Sequence, residues 1–132
     1  MSPDKPFFSI LIPSYNRPSD LKRCVDSVLQ SSFADFEIIV SDDNSPLKKE
    51  IEKVMQLFLL QSKVTFYLQP VNLKEPGNKN FLVAKAKGKF NIVLGDDDTL
   101  GLNSLRVLHD FIAENPRHDV YGFGYVIVDE SQ

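Results

Sequence analysis

Three consecutive carboxylates, Asp96-Asp97-Asp98, follow the apolar run Asn91-Ile92-Val93-Leu94 and a single glycine, Gly95. Carboxylates held this close repel one another, and the arrangement is costly unless a cation neutralises it. Hard oxygen ligands suit Mg²⁺ or Mn²⁺, which typically take one or two carboxylates plus substrate phosphates. A solvated acidic loop leading into the next helix is the bland alternative. Two further polar clusters weigh against it, because each also follows an apolar run: Pro13-Ser14-Tyr15-Asn16-Arg17-Pro18 and Asp42-Asp43-Asn44-Ser45. Tyr15 could stack on a base and Arg17 could meet a phosphate, although this segment alone reads equally well as a polar turn between prolines. One of Asp42 and Asp43 is accounted for by an Asx turn or a helix cap. The other is suited to accept hydrogen bonds from a base or ribose.

These clusters need elements to hold them. Phe7–Pro13 reads as a buried strand bounded by prolines. Leu21, Cys24, Val25, Val28 and Leu29 recur at the spacing of one helix face, with Ser19 as its N-cap and Asp20 in its first turn. Phe36–Ser41 is a second strand, and Ser45-Pro46 opens a helix whose stripe is Leu47, Ile51, Val54, Met55 and Phe58. Val64–Leu68 alternates with Val64, Phe66 and Leu68 inward, Asn78–Lys87 is a short helix closed by Gly88, and Phe90–Leu94 is a fourth strand. A helix over Leu102–Glu114 stops at Asn115-Pro116, and Val120–Val128 reads as a last strand. Continuous apolar strands alternating with helices predict a mostly parallel sheet covered on both faces. Ligands bind such sheets at the carboxyl ends of the strands, which is where all three polar clusters fall.

Composition bounds the rest. A chain of 132 residues fits one domain, and its 42% hydrophobic content supports a packed core. A net charge of −3 supplies no basic field for nucleic acid or an anionic membrane. The lone Cys24 allows no intrachain disulfide and fits a reducing compartment. Met1–Pro6 lacks the features of a signal peptide, and no apolar run approaches the ~20 residues of a spanning helix. A cytoplasmic protein is expected, at most lying at the inner face of a membrane, with no transmembrane segment.

In type and order the motifs resemble family 2 glycosyltransferases of the GT-A fold. The matching pieces are Ser9-Ile10-Leu11-Ile12-Pro13-Ser14-Tyr15-Asn16-Arg17, Phe36 through Ser45, Asn80 with Ala86-Lys87-Gly88-Lys89-Phe90, and Ile92 through Asp98. The resemblance runs from about Phe7 to Val128 and implies a Rossmann-like three-layer α/β/α sandwich in a single nucleotide-sugar-binding domain. It implies transfer of a sugar from a UDP- or GDP-sugar to the hydroxyl of a glycan or lipid-linked acceptor, metal-assisted and inverting, in cell-envelope polysaccharide or glycoconjugate synthesis. Donor-binding positions implied are Pro13, Tyr15, Arg17, Asp42, Asp43, Lys79, Asn80 and Asp96, with Asp43 accepting from the base and Asp42 supporting its loop. The implied ligands for Mn²⁺ or Mg²⁺ are Asp97, which matches the metal aspartate of the family's DxD-type motif, and Asp98. Many members carry an aspartate where this chain has Gly95. Family catalytic domains continue past this length, so the acceptor half and the catalytic base are expected to lie outside the chain.

Two rival readings remain. A domain of this kind could hold a nucleotide sugar without transferring it. A phosphoacceptor receiver domain has a similar length, but its acidic pair follows the first strand, where this chain has Ser14-Tyr15-Asn16-Arg17, and the lysine that ends its last strand is missing. His109 and His118 have no His or Cys at metal-ligand spacing in the sequence, and Cys24 belongs to an apolar stripe.

Overall fold

A computed structural model describes residues 5–119. Its elements are β1 (Phe8–Ser14), α1 (Pro18–Leu29), β2 (Phe36–Asp42), α2 (Lys48–Gln56), β3 (Val64–Leu68), α3 (Lys74–Lys85), β4 (Phe90–Val93) and α4 (Ser104–Glu114). The four strands form one sheet in the order β3-β2-β1-β4, and every pairing is parallel. The strand expected over Val120–Val128 lies outside the described residues.

Alternate residues of β1 and β2 face opposite layers. Phe8, Ile10, Ile12, Ile38 and Val40 pack with Leu21, Val25 and Val28 of α1, Ile51 and Met55 of α2, and Leu105, Leu108 and Ile112 of α4. Leu11 and Ile39 pack on the other face against Leu82 of α3. The result is the three-layer α/β/α sandwich expected. Parallel strands need helical crossovers, and those crossovers cover both faces, so the central strands read as continuous apolar runs.

Several local expectations are revised. Ser19 does not cap α1; it lies within the first turn, and Arg17 occupies the cap position without a side-chain bond. Pro18 at the start fixes φ and removes one N–H that would otherwise need a cap. Ser45-Pro46 does not open α2 directly, because the helix begins at Lys48 and the Ser45 hydroxyl is spent on Asp42. Helix α3 starts at Lys74 rather than Asn78, running through Pro76 and Gly77 in the early turns where proline is tolerated. Gly88 is not a left-handed cap residue, since no described glycine has positive φ. It is needed for close approach instead: a Cβ there would lie 2.6 Å from the Ser9 backbone nitrogen. On the edge strand β3, Val64 is buried but Leu68 is exposed, so its inward alternation fails at the last residue. Beyond α2, Phe58 is core while Leu59 and Leu60 are exposed.

Candidate functional site

The chain steps from β1 to β2 and β3 on one side, then returns to β4 on the other side of β1. That reversal of direction leaves a crevice at the carboxyl ends of β1 and β4, the usual ligand position in such sheets. A cleft of about 700 Å³ opens there. Its walls come from Pro13, Ser14, Tyr15 and Arg17 after β1, Asp43 after β2, residues 72–79 around the start of α3, and Val93 to Asp97 after β4.

The β1–α1 turn is tied to both neighbouring strands. Ser14 pairs with Asp42 across the sheet, and its carbonyl accepts from the Asp43 N–H at 3.0 Å. On the other side the Tyr15 N–H donates to Asp96 Oδ2 at 3.0 Å. Asn16 sits at φ 61°, a conformation asparagine tolerates, and its Oδ1 accepts from the Leu47 N–H at 3.0 Å. Arg17 Nη1 then lies 3.3 Å from Asp96 Oδ1 and 3.0 Å from Asp97 Oδ2.

That last contact bears on a metal. Two carboxylate oxygens from neighbouring residues converge on a single cationic nitrogen, so the geometry to hold one positive centre exists. Asp96 is nearly buried, and burial raises its carboxyl above the ordinary aspartate range; the Tyr15 N–H and Arg17 oppose that shift, while Asp97 and Asp20 add to it. No cluster of three or more His, Cys, Asp or Glu ligands exists among the described residues. Mg²⁺ and Mn²⁺ typically take one or two carboxylates and complete their shell from phosphate and water; Asp96 and Asp97 are the residues here that could hold such an ion. Asp98 is exposed and does not line the cleft; its N–H closes a turn onto the Gly95 carbonyl at 3.0 Å.

The two aspartates after β2 divide their work. Asp42 is fully buried and accepts from the Ser14 hydroxyl at 3.2 Å, from the Ser45 N–H at 2.9 Å and from the Ser45 hydroxyl. Those bonds fix the β2–α2 turn, and Asp42 does not reach the cleft wall. Asp43 does, with one oxygen accepting from the Leu73 N–H at 2.6 Å and its carbonyl accepting from Asn72 Nδ2 at 3.0 Å. Lys79 lines the cleft and pairs with Glu75 at 2.8 Å, which holds the Glu75 carboxyl below its usual range. Asn80 is exposed and is not part of the wall.

Sequence reasoning missed the contribution of residues 72–78. Asn78 is buried in α3, its Oδ1 accepting from the Ser41 hydroxyl at 2.7 Å and its Nδ2 donating to the Ser41 carbonyl at 3.0 Å. Gln69 Nε2 donates to the same hydroxyl at 3.0 Å. This network fastens the start of α3 to the end of β2. The signal was present: a polar run directly after the third strand occupies the same kind of position as the other three clusters.

Comparison with known proteins accords with this geometry. The sequence model described as Glycosyl transferase family 2 matches residues 9–132. Over 119 residues the chain is 34% identical to the GalNAc(5)-diNAcBac-PP-undecaprenol beta-1,3-glucosyltransferase of Campylobacter jejuni, covering 89% of this chain and 38% of that protein. The fold is shared with S. aureus TarS 1-349, solved in complex with UDP-GlcNAc, at a TM-score of 0.74 and 23% identity over 81% of this chain and 31% of that one. It is also shared with the mannosyltransferase PcManGT of Pyrobaculum calidifontis, solved with GDP-Man and Mn²⁺, at a TM-score of 0.63 and 14% identity over 74% and 29% of the two chains. The chain thus spans well under half the length of each of these proteins.

Proposed function

The chain belongs to glycosyl transferase family 2, and we propose that it is the donor-binding part of a metal-assisted, inverting glycosyltransferase acting in cell-envelope polysaccharide or glycoconjugate synthesis. The observation that carries this reading is the convergence of Asp96 Oδ1 and Asp97 Oδ2 on one cation in a cleft whose other wall holds Asp43. A UDP- or GDP-sugar spans these two walls. Pro13 and the exposed ring of Tyr15 flank the base, and Asp43 accepts a hydrogen bond from it. Asp96, Asp97 and Arg17 face the diphosphate end.

A divalent ion bound there supplies charge stabilisation for the departing diphosphate. In the transfer, the acceptor hydroxyl oxygen bonds to the anomeric carbon, the bond from that carbon to the phosphate oxygen breaks, and the hydroxyl proton passes to a carboxylate base. That base belongs to the portion of the longer relatives that this chain does not cover. No helix among the described residues is long and apolar enough to cross a membrane. The Campylobacter relative is named for an undecaprenol-linked acceptor, and we extend that acceptor class to this protein, working from the cytoplasmic side.

Calorimetric titration of UDP and GDP, with and without Mn²⁺, tests the reading on wild type and Asp97→Ala. Tighter binding with Mn²⁺ that is lost in the variant is expected. Binding insensitive to both the metal and the substitution would sink the metal-bridged assignment. A second reading is a domain that binds the nucleotide sugar without transferring it. Donor turnover by the chain alone would discard it.

A further inference from the structure

Helix α1 meets the acidic loop twice on one face. Cys24 and Ser27 lie about one turn apart, so both side chains project from the same side of the helix. The Cys24 thiol donates to the Gly95 carbonyl at 3.4 Å, and the Leu100 N–H donates to the Ser27 hydroxyl oxygen at 2.9 Å. The Ser27 hydroxyl donates in turn to the Cys24 carbonyl at 2.7 Å, which leaves its lone pairs for Leu100. Gly95 and Leu100 are the two ends of the segment that carries Asp96 and Asp97. Beyond that segment the anchoring continues. The Ser32 N–H donates to the Leu102 carbonyl at 2.9 Å, and the Ser32 hydroxyl donates to Asn103 Oδ1 at 2.8 Å. The mount itself is rigid, because Leu21, Val25 and Val28 of α1 are fully buried in the core.

We propose that Ser27, with Cys24 beside it, is a positioning residue for the metal: the pair holds the two ends of the Gly95–Leu100 loop and so sets where Asp96 and Asp97 place their oxygens. The inference rests on the metal-bridged donor reading above. Neither Cys24 nor Ser27 lines the cleft, so both act through the backbone of the loop. Neighbouring carboxylates repel one another, and a loop that bears them spreads unless its ends are held. A small divalent ion tolerates little spreading, because it demands near-ideal octahedral geometry. Helix stability does not account for Ser27. A serine bonded back to its own helix is neutral to unfavourable in a helix interior, and alanine is the better helix former. What the hydroxyl does supply is an acceptor for the Leu100 N–H.

Mn²⁺ spin resonance on the metal alone, with calorimetric titration of UDP in the presence and absence of Mn²⁺, tests this on Ser27→Ala, Ser27→Thr and Val28→Ala. Ser27→Ala is expected to weaken Mn²⁺ binding by about tenfold, the lower end of the effect of removing a partner that orients metal ligands. The gain that Mn²⁺ gives to UDP binding should shrink by the same factor, while UDP affinity without metal stays at the wild-type value. Ser27→Thr keeps the hydroxyl and should restore both. Val28→Ala, on the same helix but with its side chain in the core, should unfold at lower urea and keep wild-type Mn²⁺ affinity. Unchanged Mn²⁺ affinity in Ser27→Ala overturns the proposal, as does an equal loss in Val28→Ala, which would reduce the effect to general loosening. If Ser27→Ala does not fold, Cys24→Val carries the same test from the other end of the loop, keeping the volume of the apolar stripe without the donor; wild-type Mn²⁺ affinity there overturns the proposal equally. If wild type itself binds no Mn²⁺, the metal-bridged reading falls and takes this inference with it.

Discussion

Replacing Arg17 by alanine should strengthen Mn²⁺ binding in the absence of nucleotide. The guanidinium occupies the point on which Asp96 Oδ1 and Asp97 Oδ2 converge, at 3.3 and 3.0 Å, so a metal ion must displace it. At such distances the unscreened attraction would be several kcal/mol even at an effective dielectric of about 20. Arg17 and Asp97 are each about half exposed, at 51% and 53%, so solvent screening reduces this sharply. Exposed pairs are worth about 0.2–1 kcal/mol each. Two such pairs convert to a gain of about two- to thirtyfold in Mn²⁺ affinity, the upper part favoured because Asp96 is nearly buried. Calorimetry or Mn²⁺ spin resonance on the metal alone reads this directly. Unchanged or weaker binding in Arg17→Ala would refute the idea that guanidinium and metal compete for the same oxygens. The pH dependence gives an independent check. Burial holds the Asp96 carboxyl above its ordinary range, so its contribution to stability is full in acid and lost as pH rises through its folded-state value. Arg17 opposes that loss. The melting temperatures of wild type and variant should converge toward about pH 4 and separate toward neutrality; a gap that widens in acid would contradict the argument.

Asp42→Ala should destabilise by about 1–3 kcal/mol, since it strands the Ser45 N–H in a buried turn. Denaturant unfolding checks this, and normal stability with lost nucleotide affinity would instead make Asp42 a ligand contact. Gly88→Ala should cost about 1–3 kcal/mol, because a Cβ 2.6 Å from the Ser9 nitrogen forces β1 and the segment before β4 apart; an unchanged denaturation midpoint would show that the backbone yields freely. Cys24 should resist iodoacetamide in the native state, because burial first and the Asp96, Asp98 and Asp97 charges next push its thiol up to about 12. At about pH 8 only about one thiol in ten thousand is then ionised, and modification at the rate of a free thiol would refute that.

How much of this was legible in the sequence depends on whether a signal was local. β1, β2 and β4 were readable because apolar runs of β-branched and aromatic residues end in abrupt polar clusters, and those clusters share one end of the sheet. The α1 stripe of Leu21, Cys24, Val25 and Val28 was equally plain and is buried as expected. Helix starts were less legible. Ser19 and Ser45 have the right chemistry for caps, but Pro18 had already fixed the first turn and Asp42 had claimed the Ser45 hydroxyl. Which of Asp42 and Asp43 faces the cleft followed from the family resemblance rather than from residue type, because the choice is set by three hydrogen bonds from partners that are distant or on the next turn. The left-handed backbone at Lys74 was only half legible: Asn72, two residues earlier, offers the local side-chain bond of an Asx turn, but the Leu73–Asp43 bond that anchors this turn comes from a distant strand end.

The same turn explains why two unlike walls can act on one ligand. Ser14 and Tyr15 are adjacent, yet one accepts from Asp43 and the other donates to Asp96, so the β1–α1 turn is bonded to both sides of the cleft. Strand order makes that inevitable, because β1 lies between β2 and β4. A displacement of this turn would alter the base-facing wall and the cation-facing wall together. Mutations confined to one wall, such as Asp43→Asn or Asp97→Ala, should therefore act separately on nucleotide affinity and on metal dependence. Changes at Asn16, whose left-handed backbone and bond to Leu47 set the turn, should degrade both at once. Asn16→Ala that impaired only one of the two would show that the walls are positioned independently, and that β1 is not the strut joining them.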